Sequence, residues 1–389
     1  MADNVSQAYD PSWNQDSFHA EVEAHVEEAS SQFSKTLNIA IIGKVSSGKS
    51  SLINALLRRK RTDLVARVGA EAGVTTKLKV WELDEHVRLI DSPGLADVRA
   101  ETSQITKEFL QYIDVGILVV TGASDANQKK YLDDLRKSCS SVFVVLNKID
   151  EWDKLATSSL TKVVEQWKQD LEIEKIYRVC TFGYDPETNP SVQLDVRGVD
   201  ELRKDIEIFL EKSGKDILLA RHMGEKQSYA IKIISGALLA VSTQVFLPGS
   251  AVFIASTQAT AITSLYYLYE GKALSAKAAV ALLPYFTTES ILSNAFLWVQ
   301  SFIPPTLVLE AVAATTAAIT TLAMLATVNY LLASGAKLEE KKRLQETFRK
   351  YKQEATKDIL NVDVKNLNKS DFWQEIIKNF LTGQAVSQS

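Results

Sequence analysis

The run Gly43-Lys44-Val45-Ser46-Ser47-Gly48-Lys49-Ser50 constrains the fold of this chain more than any other stretch. It is a complete G-x-x-x-x-G-K-S pattern, set between an apolar β-type run (Leu37 to Ile42) and a helix-like one (Ser51 to Leu57). That context separates a phosphate loop from a chance glycine turn. The glycines let the backbone curl so that consecutive N–H groups face phosphate oxygens at a helix N-terminus. Lys49 adds a positive charge near the β- and γ-phosphates, and the Ser50 hydroxyl suits Mg²⁺.

Downstream, the pattern alternates strands and helices as a doubly wound α/β domain does. Lys77 to Leu83 and Val87 to Asp91 read as a strand pair turning at Asp84-Glu85-His86. Val115 to Val120 and Val142 to Leu146 are continuous apolar runs, expected of parallel strands covered on both faces. Helical patterns fall at Thr102 to Tyr112, Asn127 to Lys137 and Leu155 to Leu171; Ile176 to Val179 reads as a last strand and Val199 to Leu210 as a closing helix. Ligands of such sheets bind at the carboxyl ends of the strands. Asp91-Ser92-Pro93-Gly94 ends one strand, with Asp91 placed to hold Mg²⁺ through water and the Gly94 N–H to meet a γ-phosphate. Asn147-Lys148-Ile149-Asp150 ends another. The Asp150 carboxylate suits the N1–H and exocyclic amine of guanine, which adenine does not offer. Asn147 bridges to the loop, and the Lys148 stem packs along the base. Taken alone, N-K-I-D also reads as a solvated helix N-cap; its order after the other two motifs argues against coincidence.

The order GKVSSGKS, DSPG, NKID resembles the translation-factor-related GTPases, the group that includes Ras, Era and dynamin. The extended form from Gly43 to Leu57 is most similar to the large GTPases of the dynamin and immunity-related type. The resemblance covers about the first half of the chain and implies binding of GTP and GDP with Mg²⁺ and hydrolysis of GTP. It places the nucleotide on Gly43, Lys44, Val45, Ser46, Ser47, Gly48, Lys49, Ser50, Ser51, Asn147, Lys148, Asp150 and Thr181. It places the metal on Ser50, Thr76 and Asp91, with Lys49, Thr76 and Gly94 around the γ-phosphate. Thr75 is the alternative to Thr76, both within Gly73-Val74-Thr75-Thr76, and the preceding run from Gly69 to Gly73 is a glycine-punctuated loop suited to ordering with nucleotide state. Thr181 stands in the expected base-capping loop, where related proteins often carry Ser-Ala. Leu95 stands where Ras has its water-orienting glutamine, Ser46 where potassium-activated GTPases carry asparagine, and Val45 where dynamins carry glutamine. These departures imply slow intrinsic hydrolysis, completed by a partner or a second copy of the chain.

The second half differs in composition. No charge occurs from Ile233 to Tyr269, from Ser290 to Leu309, or from Ala311 to Ala336. Each stretch is long enough for a transmembrane helix, but each is rich in Ala, Thr, Ser and Gly, and Pro248-Gly249 and Pro304-Pro305 interrupt two of them. The reading is an all-α, membrane-associating domain, peripheral or inserted as a hairpin. Basic residues on both flanks (Lys215, Arg221 and Lys226; Lys337, Lys341, Lys342 and Arg343) keep both ends cytoplasmic. A soluble helical core is the rival. Phe246-Leu-Pro-Gly249 and Leu268-Tyr-Glu-Gly271 loosely resemble helical domains of certain bacterial and immunity-related GTPases.

The expected division is 1–35, an acidic helical arm solvated beside the GTPase domain; 36–212, the GTPase domain; 213–336, the apolar helical domain; and 337–389, charged C-terminal helices. The segment Lys337 to Asp358 reads as an exposed helix. The segment from Asp371 to Thr382 reads as an amphipathic helix with Ser370 as N-cap and Gly383 as stop, docking on the protein's own helices or dipping into a membrane interface. A net charge of −4 gives no hint of nucleic-acid binding, and Cys139 and Cys180 read as reduced core residues of a cytosolic protein. Partners expected are GTP, membrane lipid and a second copy of the chain.

Overall fold

The computed structural model describes residues 15–65, 79–92, 113–184, 191–244, 250–286, 310–360, 362 and 366–386. Thr75, Thr76, Gly94, Leu95, the expected helix 102–112 and Pro304-Pro305 lie outside these residues. The chain forms two compact units: Ser34–Glu225, and Met1–Phe33 together with Lys226–Ser389.

The first unit opens with β1 (Leu37–Ile42), in which every residue is buried. After the phosphate loop come α2 (Lys49–Leu56), counted after α1 (Gln15–Ser30) of the other unit, then β2 (Lys79–Glu82) and β3 (Val87–Ser92). The chain continues through β4 (Ile113–Thr121), α3 (Lys129–Ser138), β5 (Cys139–Asn147), α4 (Thr157–Leu171) and β6 (Tyr177–Arg178). Two short strands, β7 (Cys180–Phe182) and β8 (Asp195–Arg197), precede α5 (Val199–Glu211) and α6 (Asp216–Ala220).

Six strands form one sheet in the order β2-β3-β1-β4-β5-β6. Only β2 pairs antiparallel, with β3; the others run parallel. Continuous apolar strands are what a sheet covered by helices on both faces requires. One face is sealed by Leu132, Leu135, Val164, Trp167 and Leu171, which pack on Leu118, Val120, Val144 and Leu146. The β2–β3 turn is shaped by Asp84, whose Oδ1 accepts from the backbone N–H of His86 (2.6 Å) and Val87 (2.8 Å), the side-chain turn typical of aspartate. The expected last strand is shorter than its apolar run: only Tyr177 and Arg178 pair with β5. Cys180 instead starts an antiparallel pair with β8, which sequence reasoning missed.

The second unit is helical. It comprises α1, α7 (Gln227–Gln244), α8 (Ser250–Glu270), α9 (Ala276–Leu282), α10 (Glu310–Ala333), α11 (Lys341–Ile359) and α12 (Ser370–Val386). Helices α7, α8 and α10 pack against one another, α11 lies on α10, and α12 on α7. Small side chains let the backbones of α8 and α10 approach, and buried polar groups pair across the contact. Gln258 Nε2 donates to Thr321 Oγ1 at 2.7 Å, and the Tyr269 hydroxyl to Asn329 Oδ1 at 2.8 Å. The window Ala314–Ala333 is long and apolar enough to cross a membrane, yet 83% of it is buried within the unit.

Three expectations need correction here. The acidic arm is not a solvated helix: Phe18, Val22 and Val26, spaced at i, i+4 and i+8, are wholly buried, and α1 packs on α8 and α9. Its acidic face concealed a narrow apolar stripe. Helix α11 is half buried, with Leu344, Phe348, Tyr351, Ala355 and Ile359 turned inward. Helix α12 runs past Gly383 to Val386. Its face of Trp373, Ile377, Phe380 and Leu381 is covered by protein, and the Trp373 ring N–H donates to Leu367 O at 2.7 Å.

Candidate functional site

The register of the sheet brings the motifs together. Ile42 at the end of β1 pairs with Ser92, one residue past Asp91, and Thr121 at the end of β4 pairs with Asn147. The phosphate loop, Asp91 and the Asn147–Asp150 segment therefore leave the sheet at the same carboxyl edge.

The loop is held in a shape that needs its glycines. Gly48 caps α2 with φ +84°, and a Cβ there would lie 2.3 Å from Asn147 Nδ2. A Cβ on Gly43 would lie 2.3 Å from Val119 O. Ser46 is left-handed at φ +64°, so the backbone reverses twice within the loop. Lys49 folds back into this curl. Its ammonium donates to Gly43 O and Lys44 O, both at 3.0 Å, and stands 3.6 Å from Asp91 Oδ1. The Ser50 hydroxyl donates to Asp91 Oδ2 at 2.7 Å. Ser51 is buried in the first turn of α2, while Val45 is exposed at the crest of the loop. Lys44 reaches Asp125, a pairing that sequence reasoning did not find; Asp125 also caps the helical turn Ala126–Gln128 through the Asn127 N–H. The Lys44 bond and the Asn127 N–H hold the Asp125 carboxyl below its usual range.

The second half of the site is tied to the first. Asn147 is fully buried, and its amide donates to Ser47 O at 3.0 Å, which fixes the loop to β5. Thr181 Oγ1 donates to Asn147 Oδ1 at 3.2 Å. Lys148 is left-handed at φ +61°, which turns the chain so that Asp150 follows in a helical turn. The Ile149 N–H donates to Val179 O at 3.2 Å, bringing the start of β7 beside that turn. There the Cys180 thiol donates to Asp150 Oδ1 at 3.2 Å. Burial first, then the Asp150 carboxylate, pushes this thiol up to about 12, so it stays a neutral donor. Arg197 clamps the β7–β8 pair to the same turn through both oxygens of Asp153, at 3.1 and 2.6 Å.

These residues fit a guanine nucleotide with Mg²⁺. The curled loop offers N–H groups and a buried ammonium for phosphates. Ser50 and Asp91 bring two hard oxygen donors together, the type that Mg²⁺ prefers. Among the described residues the buried Ser47 hydroxyl has no hydrogen-bond partner, as expected of a group lining a ligand cradle. Asp150 has its Oδ1 engaged by the Cys180 thiol, at the same carboxyl edge of the sheet. Thr76 and Gly94, assigned to the γ-phosphate by resemblance, lie outside the described residues.

Comparison with known proteins agrees. Residues 38–148 match the family described as 50S ribosome-binding GTPase. GTPase Der of Nautilia profundicola is 30% identical over 193 residues, which cover 46% of this chain and 36% of that protein. The tRNA modification GTPase MnmE of Thermoanaerobacter sp. is 29% identical over 188 residues, covering 47% of this chain and 39% of that protein. The chain thus spans well under half the length of these relatives. Among solved structures, Era of Aquifex aeolicus bound to GDP and AlF4⁻ matches 53% of this chain and 68% of its own, with 19% identity and a TM-score of 0.28. The chain carries a P-loop GTPase domain related to those of the bacterial GTPases Der and MnmE, with a helical region after it.

Proposed function

We propose that this chain is a GTP switch that binds GTP with Mg²⁺, hydrolyses it to GDP and phosphate, and uses its nucleotide state to control the helical unit. The observation that carries the reading is the shared anchoring of both halves of the site. Asn147 binds the phosphate loop, while its neighbour Asp150, which in this reading contacts the base, is held by Cys180. Lys49 neutralises charge on the β- and γ-phosphates, Ser50 and Asp91 hold the metal, and Asp150 selects guanine.

Stimulation by a second copy, as in the dynamin and immunity-related type that the extended loop resembles, extends this reading. Its support is the lack of any water-orienting side chain at Val45, Ser46 or Leu95. Val45, Leu155 and Phe182 are also exposed apolar side chains on the segments that carry the site. Membrane association through the helical unit, with the GTPase domain cytoplasmic, is supported by the uncharged stretches 290–309 and 311–336. The 83% burial of Ala314–Ala333 favours a second reading, in which the helices form a closed core of a soluble GTP-dependent assembly protein.

One experiment separates these. GTP turnover per molecule is measured across protein concentration, with and without liposomes. Turnover that rises with concentration supports self-stimulation, and a further rise with liposomes supports membrane coupling. A fast rate that stays flat under dilution overturns self-stimulation. Extraction from membranes by salt or carbonate would exclude a spanning hairpin.

A further inference from the structure

Residues 221–225 are the last of the GTPase unit, and the chain passes from them into α7. Two elements that begin at the nucleotide site end on this short segment. The first is α2. Its N-terminal turn carries Lys49 and Ser50; about 12 Å further on, at 1.5 Å per residue, its C-terminal end meets the segment backbone to backbone. The Gly224 N–H donates to Leu57 O at 2.8 Å, and a Cβ on Gly224 would lie 2.3 Å from Arg58 O, so only glycine allows this approach. Arg58, left-handed at φ +49°, then spreads its guanidinium between Glu225 and Asp200, both at 3.2 Å.

The second element is the β2–β3 pair. Asp91 stands at one end of β3, and Asp84 stands in the turn at the other. Asp84 divides its carboxylate between two tasks. Oδ1 shapes the turn, as described above, while Oδ2 lies 2.7 Å from His222 Nε2 and 3.0 Å from the Arg221 guanidinium. All three side chains are largely shielded from solvent, so this is not an exposed ion pair of negligible strength.

The two metal-site residues Ser50 and Asp91 therefore sit at the near ends of two stiff elements whose far ends grip one five-residue segment from different sides. A relative shift of Ser50 and Asp91 would be carried along these packed elements to that segment. We propose that residues 221–225 form a nucleotide-read joint. Asp84 acts on it through Arg221 and His222, and α2 through Gly224 and Glu225, so that the entry of the chain into the helical unit depends on whether GTP or GDP is bound. The proposal rests on the guanine-nucleotide reading above.

The test is hydrogen–deuterium exchange of the full chain, saturated with GDP or with a non-hydrolysable GTP analogue, with bound nucleotide measured in the same samples. In the wild type, exchange over residues 221–230 should differ between the two states by about fivefold or more. Asp84→Asn and Arg58→Gln should each shrink that difference, and by linkage should shift the ratio of GTP to GDP affinity by at most the wild-type coupling factor. Should Asp84→Asn fail to fold, Arg58→Gln and the wild-type comparison still decide. Equal exchange in both states with nucleotide bound overturns the joint alone, as do variants that keep the full difference. Failure to bind either nucleotide overturns the switch reading and the joint with it.

Discussion

Ser50 Oγ and Asp91 Oδ2 stand 2.7 Å apart, joined by a hydrogen bond across 41 residues of sequence. Helix α2 and strand β3 thus bring two hard oxygen donors to one point. Ser50→Asn keeps a polar side chain but displaces the hydroxyl. We expect it to weaken Mg²⁺-dependent GTP binding by about tenfold or more, roughly 1.4 kcal/mol, with little effect on binding measured in EDTA. Titration of a fluorescent GTP analogue with and without Mg²⁺ checks this. Lys49→Ala should weaken both, since it removes a charge-assisted contact worth about 1.5–3 kcal/mol.

Gly48 combines a left-handed backbone with contact against Asn147. Gly48→Ala should cost about 1–3 kcal/mol of local strain and push the Asn147 amide from Ser47 O. Nucleotide affinity should fall while far-UV circular dichroism stays unchanged. An alanine variant that binds as tightly as the wild type would show that the loop is not held as described.

Base choice should reside in Asp150. Asp150→Asn replaces one acceptor with a donor and should lower the preference for GTP over ATP by about tenfold or more, read as a ratio of dissociation constants. Cys180→Ala removes the thiol that orients Asp150 and should lower the same ratio by a smaller factor. Cys180→Ser, which restores a donor, should recover most of it. An unchanged ratio in Asp150→Asn would refute the base-site assignment.

Asp84 gives a pH signature. Burial alone would raise its pKa, but the His222 hydrogen bond, the His86 N–H and the charges of His222 and Arg221 outweigh this and hold it at about 2, below the unperturbed 3.8. A carboxylate depressed in the folded state adds stability that is fully present above pH 3.8 and lost as pH falls through about 2. After allowance for solvent screening its contribution is on the order of 1 kcal/mol. Asp84→Asn should therefore unfold more readily than the wild type at pH 6, and the gap should narrow on acidification. Chemical denaturation at several pH values measures it.

Trp373 anchors α12 from a fully buried position. Trp373→Ala should destabilise the helical unit by about 3–5 kcal/mol. GTP binding should survive where that unit has melted, because no residue of the site belongs to it. Scanning calorimetry alongside nucleotide titration would separate the two units; loss of both together would show that they unfold as one.

The motifs of the candidate site were legible because each is local: a strand end and a turn place Gly43–Ser50, Asp91 and Asn147–Asp150 with no knowledge of distant contacts. What the sequence hid depends on pairs made far along the chain. Lys44 with Asp125, Cys180 with Asp150 and Asp84 with His222 join ordinary polar residues whose meeting is decided by the sheet register. The β7–β8 pair escaped notice because strands of three residues carry no periodicity to detect. The apolar stripe of α1 was diluted by Glu21, Glu23, Glu27 and Glu28, and its partners lie beyond the whole GTPase unit.

That last separation bears on how the protein is made. Phe18, Val22 and Val26 leave the ribosome before residues 34–225, but the α8 and α9 surfaces that cover them are translated from residue 250 onward. At 5–20 residues per second the wait lasts roughly 10–40 s, while residues 34–225 emerge and become free to fold. During that interval the apolar stripe of Phe18, Val22 and Val26 lacks its cover and is open to capture by holding chaperones or by other nascent chains. Assembly is thus ordered against the direction of synthesis, with α1 held waiting for helices that follow the whole Ser34–Glu225 unit.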